Sequence, residues 1–382
     1  MIKSVTLNNF KSIKKNVAKL PSFGAIVGKN AVGKTNLIQS IRFVKSLVQA
    51  NTTSEAQKRI SLIPNELFNF TDTNTEFGID ILVESSKEET YLLSVRIGLM
   101  NGTIKPPILT VTNEKLVKVV GQNMEVIYTR QKNEIKDKNG SAIPLAVDQD
   151  KLGIALFKNP DTDIVKEIFV NTSIPEFKEL SNIDSLGIGV EDLASNNLAD
   201  ILVNLRHNNP EAYNKFLAII KKLMPYFTSF TEIQAQSTTD PSIKGRFLIV
   251  LEEINLKDNL SMQSISAGDI RTLYLIASAL NMPDHSTIII EEIENGIHPK
   301  RINDLIDHLD TISNIKSMQI IFTTHSPLVI NRLPPAKILF VEKSQEHGTT
   351  FELLSETKQI LDIKELLEHG GKITDYLNVN NP

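Results

Sequence analysis

Gly28-Lys29-Asn30-Ala31-Val32-Gly33-Lys34-Thr35 fits the pattern G-x-x-x-x-G-K-[ST] at every fixed position. Such a loop works between a strand and a helix, because its backbone N–H groups must converge on an anion at a helix N-terminus. Both neighbours are present. The preceding "FGAIV" (23–27) has strand composition, and Leu37, Ile38, Ile41, Val44, Leu47 and Val48 recur afterwards with helical spacing. Within the loop, Gly28 and Gly33 let the backbone wrap closely around phosphate oxygens. Lys34 offsets β- and γ-phosphate charge, and the Thr35 hydroxyl is a ligand for Mg²⁺. A strand, a phosphate loop and a helix in this order predict an α/β fold with a mixed and parallel sheet flanked by helices.

Two more apolar runs read as strands that deliver chemistry to the same crevice. "STIIIEEIENG" (286–296) is β-branched and ends in carboxylates. A buried parallel strand presents its C-terminal residues beside the phosphate loop. Glu291 is therefore placed to hold Mg²⁺ through water, and Glu292 to orient or deprotonate an attacking water. Glu294 has two readings, a site carboxylate or a charge at a helix N-terminus. "MQIIFTTHSP" (318–327) is the second run, and it brings His325 to a strand's carboxyl end, where a γ-phosphate can be sensed.

"SISAGDIR" (264–271) precedes the apolar run "TLYLIASAL", so Ser266, Ala267 and Gly268 stand at a helix start with outward-pointing N–H groups. One phosphate loop leaves one side of the γ-phosphate open to solvent. A second helix start is expected to close that side from another copy of the chain, giving a homodimer that sandwiches two ATP molecules.

The 382 residues suggest one large α/β domain with an inserted lateral lobe. Expected boundaries are 1–95 for the N-terminal part of the core, 96–195 for the lobe, and 196–382 for a helical segment with the rest of the core. Strands are expected at 2–7, 77–83, 91–99, 108–112, 124–129 and 246–251, and helices across 197–223 with Pro210 in the first turn of the second. Residues 150–190 carry no periodicity that names an element. The absence of cysteine excludes disulfides, thiol nucleophiles and Cys-based zinc sites, and with no secretory signal and no apolar run of spanning length it points to the cytoplasm. Net charge is −4, yet the first fifty residues hold nine Lys or Arg and no acid. That asymmetry leaves nucleic-acid contact open.

Taken in order, the Walker A loop, the signature stretch, the Walker B carboxylates and the switch histidine resemble those of ABC-type ATPases. The finer resemblance is to the RecF, SMC and OLD-like group, through "IKSVTLNNFKSIKK", "ISAGDIRTL" (similar to "LSDGTLR"), "IEEIENGIHP", "TTHSP" and "NNLADILVNL". It covers roughly 1–95 and 195–345. By matching position it implies ATP contact by Gly28, Asn30, Gly33, Lys34 and Thr35, γ-phosphate contact in trans by Ser266 and Gly268, Mg²⁺ at Thr35 and Glu291, catalysis at Glu292 and a switch at His325. Glu291 stands where most such ATPases carry Asp, which implies slow turnover. No Q-loop glutamine is assigned.

OLD nucleases append a Toprim domain, for which the segment after His325 is too short, so an associated nuclease is expected on another chain. The resemblance implies an ATP-hydrolysing dimeric switch of bacterial anti-phage defence, similar to the stand-alone ATPases of PARIS, Septu or AbiL-like systems, controlling a separately encoded effector. The alternative is a RecF-like repair ATPase that binds DNA. A transporter subunit is disfavoured by the missing "LSGGQ", and a GTPase by "NLKD" (255–258), which misplaces the lysine of N-K-x-D.

Overall fold

The computed structural model describes residues 1–49, 51–59, 64–68, 76–100, 108–145, 147–175, 198–234, 247–254, 260–261, 265–358 and 360–379. Ser264, the Asn196-Asn197 pair, "NLKD" and residues 176–195 of the expected lobe lie outside the described residues. The chain forms two compact units: Met1–Ile174 with His285–Glu291 and Met318–Pro382, and Pro175–Asp284 with Glu292–Ser317.

The first unit is organised by a 14-stranded sheet. From one edge its strands are Thr172–Ser173, Thr287–Ile290, Gln319–Thr324, Phe23–Val27, Ile338–Ser344, Gly348–Leu353, Ile13–Lys19, Ile2–Phe10, Glu76–Glu84, Thr90–Met100, Ile108–Val120, Asn123–Gln131, Glu134–Asp137 and Ala142–Ile143. The first five pair in parallel, and every later pairing is antiparallel. Burial follows that division. Phe23–Val27, Thr287–Ile290 and Gln319–Thr324 are buried at every position, as parallel strands covered on both faces must be. Along most of Glu76–Glu84, buried and half-buried positions alternate, the mark of a strand with one apolar face. The helix Lys34–Val48 sets Leu37, Ile38, Ile41, Val44 and Leu47 into one core with Val5 of the antiparallel part of the sheet and Ile26, Ile289, Ile321 and Leu339 of its parallel part.

Register decides where the chemistry goes. Ile290 lies opposite Phe322, and Thr324 lies opposite Val27. Gly28, Glu291 and His325, each the next residue along, therefore leave the sheet at one edge. The opposite edge is fastened by Gln319, which is buried. Its Oε1 accepts hydrogen bonds from the Ile2 N–H (2.9 Å) and the Thr287 hydroxyl (3.2 Å), while Nε2 donates to the carbonyls of Ile2 (2.8 Å) and Pro21 (2.9 Å).

The expected strands are present, the predicted 23–27 strand matched at both ends, but the strand expected at 108–112 runs on to Val120, where the alternating Lys115, Val117 and Val119 pair with Ser94, Leu92 and Thr90. The stretch without periodicity contains the short helix Gly153–Leu156 and the helix Pro160–Val170. Asn159 caps the latter by accepting from the Asp161 N–H, and the Thr162 hydroxyl accepts from the Asn159 N–H. Capping chemistry starts this helix where a weak apolar stripe gives little signal.

The second unit contains a three-stranded antiparallel sheet of Phe227–Gln234, Phe247–Glu253 and Leu260–Ser261. Its helices are Leu198–Asn208, Pro210–Leu223, Ala267–Asn281 and Pro299–Lys316. Pro210 is the first helical residue, with Asn209 accepting from the Ala212 N–H at 3.1 Å, as its sequence position predicted. Ala267–Asn281 is the central helix of this unit: Ile270 to Leu280 are buried without interruption.

Replacing Gln319 with Leu strands the buried N–H and carbonyl of Ile2 and the carbonyl of Pro21. Each loss is comparable to an unmade buried hydrogen bond, so Gln319→Leu is expected to destabilise the protein by about 3 kcal/mol, read as a lower urea midpoint.

Candidate active site

The loop after Phe23–Val27 is shaped by what stands behind it. A Cβ on Gly28 would collide with the Val341 carbonyl, and one on Gly33 would press on the Thr349 side chain at 2.8 Å. Gly33 also has φ 117°, in the left-handed region where only glycine is relaxed. Ala31 has φ 62°, a local strain held by the surrounding loop. Lys34 is 7 % exposed, and its Nζ donates to the carbonyls of Gly28 and Lys29, each at 2.7 Å. The ammonium thus spans the concave side of the loop, while Lys29, Asn30 and Thr35 are exposed.

At the same sheet edge, Glu291 Oε1 accepts from Arg42 Nη2 at 3.2 Å. Arg42 lies seven residues beyond Thr35 on the loop's own helix, so the two project from one side of it. Sequence reading missed Arg42, which there is only one more basic residue at the hydrophilic fringe of an amphipathic stripe. His325 is exposed, and the Ser326 N–H donates to the Thr324 hydroxyl at 3.0 Å, fixing the turn that carries the imidazole.

Thr35 and Glu291 supply hard oxygen donors. Mg²⁺ binds through one or two such groups together with phosphate and water, so this donor set fits Mg²⁺ carried by a nucleotide. Among the described residues, no group of three or more His, Cys, Asp or Glu forms a metal site by itself.

The second unit begins again at Glu292. This residue has φ 49°, the left-handed region, in a turn that closes with Asn295 N–H donating to the Glu292 carbonyl at 2.9 Å. Arg271 Nη2 donates to the same carbonyl at 2.9 Å. Burial lowers Arg271 to about 10, against Glu292 and Glu294, which favour its charge. Gly268 packs so closely on Gly296 that a Cβ would overlap the Gly296 carbonyl. The helix start and the Glu292 turn are consequently one rigid piece.

The helix start itself is Ser266, whose Oγ accepts from the Asp269 N–H at 3.1 Å. Asp269 in the first turn favours the helix dipole but opposes an incoming anion. Arg301 forms an ion pair with Asp269 and reaches the Tyr226 hydroxyl at 3.4 Å, so the carboxylate is neutralised inside the unit. Burial, reinforced by Asp269, pushes the Tyr226 phenol up to about 12 and keeps it neutral. Glu294 resolves one of its two readings: the next helix starts at Pro299 with no acid in its first turn, so Glu294 is not a helix N-terminal charge.

The N-terminal basic residues are largely committed to local partners. Lys3 pairs with Glu84 (3.1 Å) and Lys19 with Glu356 (2.7 Å), Lys14 donates to the Glu346 carbonyl (2.9 Å), and Lys45 donates to the Thr172 carbonyl. Lys11 donates to Gln39, and burial lowers its ammonium to about 8 although Glu66 opposes the change.

Residues 147–331 match the family model described as "AAA domain, putative AbiEii toxin, Type IV TA system". The chain is 22 % identical over 382 residues to an ATP/GTP phosphatase of Helicobacter pylori, covering 94 % of each chain. It is 24 % identical over 383 residues to the Old nuclease of Escherichia phage P2, covering 92 % of this chain and 61 % of that protein. A solved SmcHead bound to the C-winged helix domain of ScpA superposes with TM-score 0.57 at 16 % identity, covering 94 % of this chain and 99 % of the other. The fold is that of a P-loop ATPase core of the ABC type, as in the SmcHead. Among the described residues no helix is long and apolar enough to cross a membrane.

Lys34→Ala removes the charge set across the loop and is expected to abolish ATP binding in a fluorescent-nucleotide titration. Gly268→Ala must move the Gly296 backbone, and overpacking of that kind costs about 1–3 kcal/mol, measured by urea unfolding.

Proposed function

We propose that the chain is an ATP-gated homodimeric switch of bacterial anti-phage defence, acting in the cytoplasm on a separately encoded effector. The observation that carries the reading is the second anion-binding device: a helix start at Ser266, Ala267 and Gly268 whose one acidic residue is neutralised by Arg301 and whose backbone is fused to the Glu292 turn. In the proposed dimer it closes over the γ-phosphate held by the Lys34 loop of the other copy.

Each residue then has a task. Gly28, Asn30, Gly33 and Lys34 hold the phosphates, and Thr35 and Glu291 would hold Mg²⁺, which when bound would supply positive charge to the phosphates. Glu292 takes a proton from water as the water oxygen bonds to the γ-phosphorus. The bond from phosphorus to the β,γ-bridging oxygen breaks, leaving ADP and phosphate. His325 contacts the γ-phosphate, and Ser266 and Gly268 lose their ligand once it departs, so hydrolysis opens the dimer. The Glu291–Arg42 pair supports slow turnover, because a carboxylate already paired with a guanidinium would be a weaker metal ligand.

The defence setting draws on the description of the matching family model and on likeness to the Old nuclease. Residues 96–195 are our candidate surface for the effector. A RecF-like role on DNA is the weaker reading, since four of the lysines behind the N-terminal charge excess are engaged with carboxylates or carbonyls.

Glu292→Gln is expected to retain ATP without cleaving it and to run at twice the monomer mass in light scattering with ATP and Mg²⁺; a monomer at micromolar concentration contradicts the sandwich. A purified chain that protects cells from phage with no second protein contradicts the effector.

A further inference from the structure

Both glycines of the phosphate loop are pressed by the same hairpin, formed by Ile338–Ser344 and Gly348–Leu353. Val341 fills the space behind Gly28, and Thr349 fills the space behind Gly33. Thr349 is 0 % exposed, although it carries a hydroxyl. That hydroxyl donates to the Val32 carbonyl at 2.6 Å, inside the loop. It lies 2.7 Å from the Ser12 hydroxyl, and Asn36 Nδ2 donates to Ser12 Oγ at 2.8 Å. Because Thr349 spends its proton on Val32, Ser12 must donate to Thr349. The direction is then set throughout: Asn36 to Ser12, Ser12 to Thr349, Thr349 to the loop backbone.

This relay joins four segments distant in sequence: the turn before Ile13–Lys19, the phosphate loop, the first turn of its helix and the late hairpin. Gly348, with φ 70°, packs on the Ser12 carbonyl, where a Cβ would come within 2.8 Å, and the Thr349 N–H donates to that carbonyl at 3.1 Å. We propose that Thr349 is a positioning residue for nucleotide binding. Its hydroxyl fixes the Val32–Gly33 peptide, and with Ser12 and Asn36 it holds the loop in the phosphate-ready shape before ATP arrives. The inference rests on the ATP-binding reading of the loop. It explains why a polar residue stands at a dry position of a hairpin remote in sequence from the Walker A loop.

The test compares the full-length chain with Thr349→Val, Thr349→Ser, Ser12→Ala and the Thr349→Val/Ser12→Ala double variant, titrating each with a fluorescent ATP analogue and measuring thermal unfolding alongside. Valine keeps the shape and removes the hydroxyl. Loss of one buried hydrogen bond to the loop is expected to weaken ATP binding about tenfold in Thr349→Val, while Thr349→Ser restores it to within about twofold. The double variant should bind like Thr349→Val alone, since both changes break one relay. Serine rescue and non-additivity in affinity are outcomes that a merely structural role does not produce. Wild-type affinity in a folded Thr349→Val overturns the proposal. Should Thr349→Val fail to fold, wild-type affinity in Ser12→Ala overturns it equally. A wild-type chain that binds no ATP removes the underlying reading and this inference with it, a result distinct from either.

Discussion

The register of the parallel strands is the constraint on which the rest of the structure depends. Phosphate, metal and water can be managed by groups from distant parts of a chain only if those groups leave the sheet at one edge. The pairings of Ile290 with Phe322 and Thr324 with Val27 secure that for Gly28, Glu291 and His325. In a fully buried strand a one-residue slip carries every side chain to the opposite face and moves the exit point by a residue as well. Gln319 binds the opposite edge through four hydrogen bonds that no shifted register satisfies. A buried polar residue far from the chemistry thus fixes where the chemistry stands.

Two rigid pieces share the work. In one, the hairpin of Val341 and Thr349 stands behind the phosphate loop and leaves space for glycine alone. In the other, Gly268, Arg271 and Arg301 fuse a helix start to the turn that carries Glu292. One of the four points at which the chain passes between the units falls between Glu291 and Glu292, so a proposed metal ligand and a proposed base are chain neighbours in separate units.

Much of this was legible in the sequence. The loop, its strand and its helix follow from spacing alone, and the runs ending in Glu291 and His325 were recognisable as strands because each carries three consecutive large apolar residues, at 288–290 and 320–322. Pro210 behind Asn209 marked a helix start. The helix at Pro160 was missed although Asn159 and Thr162 carry a capping pattern, since its apolar stripe is broken by Asp161, Asp163 and Lys166. The supporting residues were not legible at all. Gln319, Thr349, Ser12 and Arg42 act on partners up to hundreds of positions away in sequence, such as Gln319 on Ile2 at a separation of 317. Their own surroundings in the chain carry no trace of those partners. Charge counting left contact with a polyanion open, and it gave no sign that Lys3, Lys14, Lys19 and Lys45 are engaged with carboxylates and carbonyls of the protein itself.

The central claim is that one copy's Ser266 helix start completes the pocket around the other copy's Lys34. Mixing two inactive proteins, Lys34→Ala and Ser266→Arg, tests it most directly. In a shared site each mixed dimer regains one intact pocket, so an equimolar mixture is expected to recover up to about a quarter of wild-type ATP hydrolysis, half of the dimers being mixed and each having one working site of two. A mixture as inactive as its components, from variants shown to exchange partners, contradicts the account.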